Sequence, residues 1–116
     1  MAESLGQKQE RFAAHFGLLL VFAHNNGIGV RIGEVLRTKE MAELYAKQGK
    51  GIKNSNHLNK LAVDVFLTVD GELQWDGEAY ERLARKWKSF GPDYCWGGGF
   101  ARRDVYHYSI KHRGVV

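Results

Sequence analysis

The order of helix and strand signals along the chain predicts an α+β fold, with a small antiparallel sheet packed against about three helices. Two observations carry this prediction. The signals run helix, strand, helix, two strands, helix, strand, and the central pair of strands is joined by Asp70-Gly71, a dipeptide typical of antiparallel hairpins. The 116 residues contain one cysteine, Cys95, and neither a repeat nor a linker. We therefore expect residues 1–116 to form one domain whose modest core needs no disulfide.

The first helix is predicted from signals at both of its ends. Ser4 and Gln7 form a capping box. Asn26-Gly27 is a typical helix stop, so the helix should cover about residues 4–25. Apolar residues at helical spacing then define one face that would pack on a core: Phe12, Phe16, Leu19, Leu20 and Ala23.

Two further helices follow from caps and periodicity. Thr38 is an N-cap for the second helix, which ends near residues 48–51 and carries Met41, Leu44 and Tyr45 on one side. The third helix spans residues 77–90 and is broken by Gly91-Pro92. Its apolar residues should face inward: Tyr80, Leu83, Ala84 and Trp87.

The strands are predicted from runs rich in β-branched residues. Residues 61–69 give the strongest strand signal, and residues 72–75 would be their hairpin partner. Residues 29–36 and 105–110 are the other predicted strands. A glycine-rich loop at residues 96–99 precedes the last of them.

Charge and hydropathy limit the partners and the cellular location. Seventeen Lys and Arg against thirteen Asp and Glu give a net charge of +4, which suits an anionic partner such as nucleic acid, a membrane surface or a cell-wall polymer. The most apolar run, residues 16–23, is far shorter than the ~20 residues that cross a bilayer. Charges of both signs precede this run and no small-residue cleavage site follows it, which argues against a signal peptide. We therefore expect synthesis in the cytoplasm and no membrane span.

Four residues could form a metal-dependent site. His57 precedes the strand at residues 61–69, and Asp64 lies inside it, where a carboxylate needs a cation, hydrogen bonds or a metal to compensate its burial. Asp104 and His107 can converge on one point beside the last strand. Two histidines and one aspartate match a catalytic zinc site, and a second, unligated carboxylate could act as a general base. By spacing alone, loop or capping roles for both histidines stay open.

Two segments resemble a known family. They are SNHLNKLAVDV at residues 55–65 and GPDYCWGGGFARRDVYHYSI at residues 91–110. They are similar to the zinc peptidases of peptidoglycan in the D-alanyl-D-alanine carboxypeptidase family, above all to short phage endolysins that cut the L-alanyl-D-glutamate bond. The likeness extends from about residue 5 to residue 110 and implies a hedgehog/D-Ala-D-Ala peptidase-like fold with its zinc site at the sheet.

The resemblance implies a role for each matching residue. His57, Asp64 and His107 would bind Zn2+, and Asp104 would be the general base. Arg37, which precedes the second helix, would hold the substrate and polarise its carbonyl.

Other residues would surround this site. Ser55 matches a serine that borders the site in the family. Trp96 and Tyr106, with Tyr94, are candidate walls for the substrate, and core packing is the alternative role of each. Two positions depart from the family pattern, because Ala42 and Ser109 stand where many relatives carry glutamine and glutamate.

The resulting functional hypothesis is a monomeric phage-type endolysin that cuts peptidoglycan stem peptides after release from the cytoplasm. A D-alanyl-D-alanine carboxypeptidase or dipeptidase would share the metal chemistry and is the enzymatic alternative. A non-catalytic module is the alternative of another class, either basic and nucleic-acid-binding or a zinc-bound wall binder. A nucleic-acid partner is not expected, since it would leave Asp64 unexplained and no recognition motif is present.

Overall fold

The computed structural model describes residues 2–49 and 55–116, and within them it contains three α-helices, five strands and two short 3-10 helices. The helices are α1 (Leu5–Asn25), α2 (Lys39–Lys47) and α3 (Glu78–Lys88). The strands are β1 (Ile28–Ile32), β2 (Ala62–Val69), β3 (Glu72–Leu73), β4 (Tyr94–Trp96) and β5 (His107–Ile110). The predicted α+β class, with a small antiparallel sheet and three helices, is confirmed.

The sheet has the order β1-β2-β5-β4, and β3 pairs with the end of β2. Each of these pairings is antiparallel. The β2–β5 register places Asp64 directly opposite His107. The backbone N–H of Val65 also donates to the carbonyl of Tyr106 at 3.0 Å, which continues this pairing beyond the start of β5. The sheet therefore brings two predicted metal ligands together through strand pairing alone.

Local signals at the helix ends and at the hairpin operate as expected. The Ser4 hydroxyl accepts from the Gln7 N–H at 3.1 Å, and the Gln7 side chain accepts from the Ser4 N–H at 2.8 Å. The Thr38 hydroxyl accepts from the Met41 N–H at 3.1 Å. Asp70 and Gly71 have φ values of 53° and 80°, the left-handed geometry that a two-residue hairpin turn requires.

The core lies where α1 and α3 pack on the sheet. The predicted inner face of α3 is confirmed, because Tyr80, Leu83, Ala84 and Trp87 are all buried. The indole N–H of Trp87 donates to the carbonyl of Ser109 at 3.0 Å, which ties α3 to β5. Within the described residues, no helix combines the length and the hydropathy needed to span a bilayer.

The second helix contacts the protein differently from the sequence prediction. Ala42 is its buried residue, whereas Met41 and Leu44 are 37% and 44% exposed. Since Ala42 carries only a methyl group, it adds little to a helical hydrophobic pattern and the larger neighbours dominate that pattern.

Several strands also differ from the prediction, including β3, which ends at Leu73 rather than at residue 75. β1 ends at Ile32 rather than near residue 36. After Ile32, the Gly33 N–H donates to the Asp64 carbonyl at 2.7 Å and the Asp64 N–H donates to the Glu34 carbonyl at 2.9 Å, which interrupts the regular strand pairing. β5 starts at His107, after a turn closed by a bond from its N–H to the Asp104 carbonyl. The sequence does not predict β4, whose last residue, Trp96, lies in the predicted loop. Three residues before a run of glycines give almost no strand signal.

Tyr80 provides a test of the core. Its buried hydroxyl donates to the carbonyl of Gln74 at 2.7 Å and accepts from the Leu67 N–H at 3.0 Å. Tyr80→Phe leaves both groups without their partner and should lower the free energy of unfolding by about 1–3 kcal/mol in urea denaturation. Tyr106→Phe is the control, because its hydroxyl bonds to the Trp75 carbonyl in an exposed position where water can substitute. Equal effects of the two changes would contradict this account of the core.

Candidate metal centre

Three side chains converge at one end of the β2–β5 pair. His57, Asp64 and His107 each offer one ligand atom, and these atoms lie within 4.8 Å of one another. Asp64 and His107 come from paired positions of β2 and β5. His57 comes from a short 3-10 helix (Asn56–Asn59) that leads into β2. The structure thus groups the three residues that the sequence predicts as metal ligands.

The 3-10 helix that carries His57 is anchored at its start. The Ser55 hydroxyl accepts from the His57 N–H at 3.2 Å. The side chain of Asn56, which is fully buried, donates to the carbonyls of Ile110 at 2.9 Å and Val115 at 2.7 Å. These bonds fix His57 relative to β5 and therefore relative to His107.

The protonation pattern of His57 leaves one ring nitrogen available as a ligand. Its Nδ1 lies 3.1 Å from the carbonyl oxygen of Val35. Because a carbonyl only accepts, Nδ1 carries the proton, and in the neutral imidazole Nε2 then presents a lone pair. That Nε2 atom lies 3.4 Å from Oδ1 of Asp64. A histidine held through one nitrogen by a backbone carbonyl is the usual arrangement for a metal ligand.

The burial of these atoms tests whether a metal fits. Nε2 of His57, Oδ1 of Asp64 and Nε2 of His107 are buried and have no hydrogen-bond partner among the described residues. A buried polar atom without a partner costs free energy, and native structures contain few of them. A cation coordinated at this point would account for the burial of the cluster, and imidazole and carboxylate are common ligands of divalent transition metals. The His-Asp-His group could therefore hold a metal ion.

The charges in the cluster favour a bound cation. Burial alone would raise the pKa of Asp64, but the two facing histidines, His107 and His57, lower it to about 2. Burial would lower the pKa of His57, yet the neighbouring Asp64 carboxylate outweighs burial and raises that pKa. Asp64 is therefore ionised at neutral pH and supplies a negative charge at the centre of the cluster.

A cavity of about 480 Å³ opens onto the three candidate ligands. Its lining residues are Arg37, Ser55, His57, Asp64, Phe100, Arg102, Arg103, Asp104, His107 and Val116. The predicted base Asp104, the predicted substrate-holding Arg37 and the bordering Ser55 all belong to this set. The cluster thus forms part of the wall of a space that a ligand can enter.

Backbone contacts hold Asp104 at the cavity wall. Its Oδ1 accepts from the Tyr106 N–H at 3.2 Å, and its carbonyl accepts from the His107 N–H at 3.3 Å. The Asp104 N–H donates to the carbonyl of Gly97 at 2.8 Å. The turn between β4 and β5 therefore holds Asp104 close in the chain to His107, the predicted metal ligand, and both line the cavity.

Gly97 is required for this turn. A Cβ added at Gly97 would collide with the backbone carbonyl of Asp104 and would lie 3.0 Å from Cβ of His107. Gly97→Ala should therefore displace both residues and lower the free energy of unfolding by about 1–3 kcal/mol. It should also reduce the peptidase activity that the sequence predicts. Gly99→Ala is the matched control, because a Cβ there meets nothing within 4 Å. Denaturation and activity measurements on both variants check this, and an equally stable, equally active Gly97→Ala protein would contradict it.

Arg37 is held by a residue that the sequence does not single out. Oε1 of Glu34 lies 2.6 Å from both Nε and a terminal nitrogen of the Arg37 guanidinium. The Arg37 N–H donates to the carbonyl of His57 at 3.1 Å, and its guanidinium lies 5.3 Å from the ring centre of Tyr45. Glu34 therefore fixes the direction of Arg37 and offsets part of its charge.

The aromatic residues predicted as substrate walls lie outside the cavity lining. The indole N–H of Trp96 donates to the Val105 carbonyl at 2.8 Å. The ring of Tyr106 packs near Phe66, with centroids 5.2 Å apart, and Tyr94 is buried in the core. Among the described residues, the aromatic side chain that lines the cavity is Phe100, whose ring centre lies 5.6 Å from that of His107.

Comparison with known proteins supports the fold. No model of a known protein family matches the sequence, and no curated protein matches it. The crystal structure of the Serratia marcescens L-Ala D-Glu endopeptidase ChiX matches with a TM-score of 0.74 and 23% identity, over 90% of this chain and 80% of that chain. The chain therefore has the fold of this endopeptidase.

Proposed function

We propose that the chain is a zinc peptidase that hydrolyses the L-alanyl-D-glutamate bond in the stem peptides of peptidoglycan. The proposal depends on three buried candidate ligand atoms that have no hydrogen-bond partner in the described part of the chain. They converge on a cavity that Asp104 also lines. The fold shared with an L-Ala D-Glu endopeptidase supports the same reaction class. Two imidazoles and one carboxylate form a ligand set that suits zinc, and three protein ligands leave a coordination position open.

His57, Asp64 and His107 would hold the metal, and the remaining residues would handle the substrate. When bound here, zinc would supply Lewis-acid polarisation of the scissile carbonyl and a lowered pKa for water. Asp104 would take a proton from the attacking water and return it to the leaving amine. Arg37, oriented by Glu34, would donate hydrogen bonds to the substrate and hold it over the cluster.

The biological role proposed for this activity is that of a monomeric phage-type endolysin. In that role the protein is made in the cytoplasm and acts on the wall after release. The net charge of +4 supports the proposal, because it favours approach to an anionic wall polymer.

Digestion of purified peptidoglycan tests the proposed reaction. The zinc-loaded protein should release fragments with new L-alanine C-termini and D-glutamate N-termini, identified by mass spectrometry, and a chelator should prevent their release. Release of free D-alanine instead would assign the chain to the carboxypeptidases. If no chelator-sensitive cleavage of either kind occurs, the proposed function is wrong.

A further inference from the structure

Three arginines line the cavity, and two of them already face a carboxylate. Arg37 contacts Glu34 at 2.6 Å. Arg103 forms a two-pronged contact with Asp76, with N–O distances of 2.7 and 3.0 Å. The positive charges of Arg37 and Arg103 are thus compensated by carboxylates of the protein.

Arg102 differs from both. One of its terminal nitrogens donates to the carbonyl of Gly49 at 3.1 Å. Within residues 2–49 and 55–116, no carboxylate lies within 4.0 Å of its guanidinium. Residues 50–54 have the sequence KGIKN and contain no acid. Arg102 therefore carries an uncompensated charge at the cavity wall.

The chemistry of this arginine defines what it can bind. A guanidinium offers five N–H donors in a planar arrangement, so one bond to Gly49 leaves four for a ligand. That arrangement fits the two oxygens of a carboxylate, which accept parallel hydrogen bonds. The unligated Asp104 carboxylate in the same cavity would repel an anion, so a substrate carboxylate is held more favourably beside an arginine. Arg102 is the one of the three that does not already contact a protein carboxylate.

We propose that Arg102 binds the free carboxylate of the D-glutamyl residue of the substrate and selects it over the corresponding carboxamide. The inference rests on the proposed function. A D-glutamyl residue has two carboxyl groups, and a peptide that continues through one of them leaves the other free. Arg102 would therefore determine specificity for the residue whose amine is released at the scissile bond.

The test compares two synthetic stem peptides that differ only in this group, one with the free carboxylate and one with the carboxamide. The zinc-loaded protein should cleave the carboxylate peptide with a kcat/KM about 10- to 100-fold higher, the range expected for a charge-assisted hydrogen-bond pair. Arg102→Gln should lose most of this preference by slowing cleavage of the carboxylate peptide while leaving that of the carboxamide peptide nearly unchanged. Arg85→Gln is the control for net charge, because Arg85 lies on α3 in an exposed pair with Glu78.

A binding measurement separates recognition from turnover. Calorimetry with metal-free protein should show that the carboxylate peptide binds more tightly to the unsubstituted protein than to the Arg102→Gln variant. The Arg85→Gln variant should bind this peptide as tightly as the unsubstituted protein does. Equal cleavage and equal binding of the two peptides by the natural sequence would overturn the role of Arg102 and leave the proposed function standing. An equal loss for both peptides in Arg102→Gln would also overturn it. If the zinc-loaded protein cleaves neither peptide, the proposed function falls together with this inference.

Discussion

Asp104→Asn should lower kcat for peptidoglycan cleavage by a factor of about 10²–10⁴, the usual contribution of a general base. Asparagine keeps the oxygen that accepts from the Tyr106 N–H at 3.2 Å, so the turn should retain its shape. The amide cannot take a proton from water, so only the base function is removed. Steady-state kinetics should show the lower kcat, and metal analysis of the same preparation should show an unchanged metal content.

Asp70→Asn is the matched control for this change. Asp70 lies in the β2–β3 turn with φ of 53°, at the opposite end of β2 from Asp64, and asparagine tolerates that left-handed conformation. The control should keep full activity. A variant Asp104→Asn that turns over at the natural rate would show that another group acts as the base.

His57→Ala should lose both the metal and the activity. The change removes Nε2, which lies 3.4 Å from Oδ1 of Asp64, and leaves two protein ligands at the site. The expected loss of metal affinity exceeds about 100-fold, since even residues that only orient a ligand contribute 10- to 100-fold. Competition with a chelator of known affinity gives the affinity directly, and circular dichroism checks that the variant is folded.

His24→Ala provides the comparison for this variant. His24 is an exposed residue in the last turn of α1, so its replacement should leave the metal affinity unchanged. A folded His57→Ala protein that retains the metal with natural affinity would contradict the assignment of His57 as a ligand.

The elements that the sequence predicts well depend on local interactions. The capping box of α1 involves residues three positions apart, and the hairpin turn at Asp70-Gly71 depends on two adjacent backbone conformations. The inner face of α3 follows from helical spacing. Such features are encoded within a few residues, so they can be read without knowing the rest of the fold.

The grouping of His57, Asp64 and His107 depends on strand pairing across the chain. Residue types alone mark Asp64 as a carboxylate that needs compensation, but they do not place it opposite His107. That placement results from the β2–β5 register, which joins residues 43 positions apart. The sequence predicts it only through the resemblance of two ordered motifs to a peptidase family.

The aromatic positions illustrate how nearness in sequence differs from nearness in space. Tyr106 precedes His107 in the turn before β5. Tyr108 follows His107 within the strand, where successive residues point to opposite faces. Trp96 pairs with Tyr108 in the sheet, so both side chains lie on the face opposite to that of His107.

The contact between Arg37 and Glu34 is also not predictable from the sequence. It forms in an irregular segment, where a spacing of three residues has no fixed geometry.

In the proposed function, one metal ion held by His57, Asp64 and His107 would make the chain a peptidoglycan peptidase. Titration of metal-free protein with zinc, while new L-alanine C-termini are counted, tests it most directly. Cleavage should rise in proportion to the zinc added and reach its plateau at one ion per chain. Cleavage at full rate by the metal-free protein, or no cleavage at any zinc concentration, would contradict the claim.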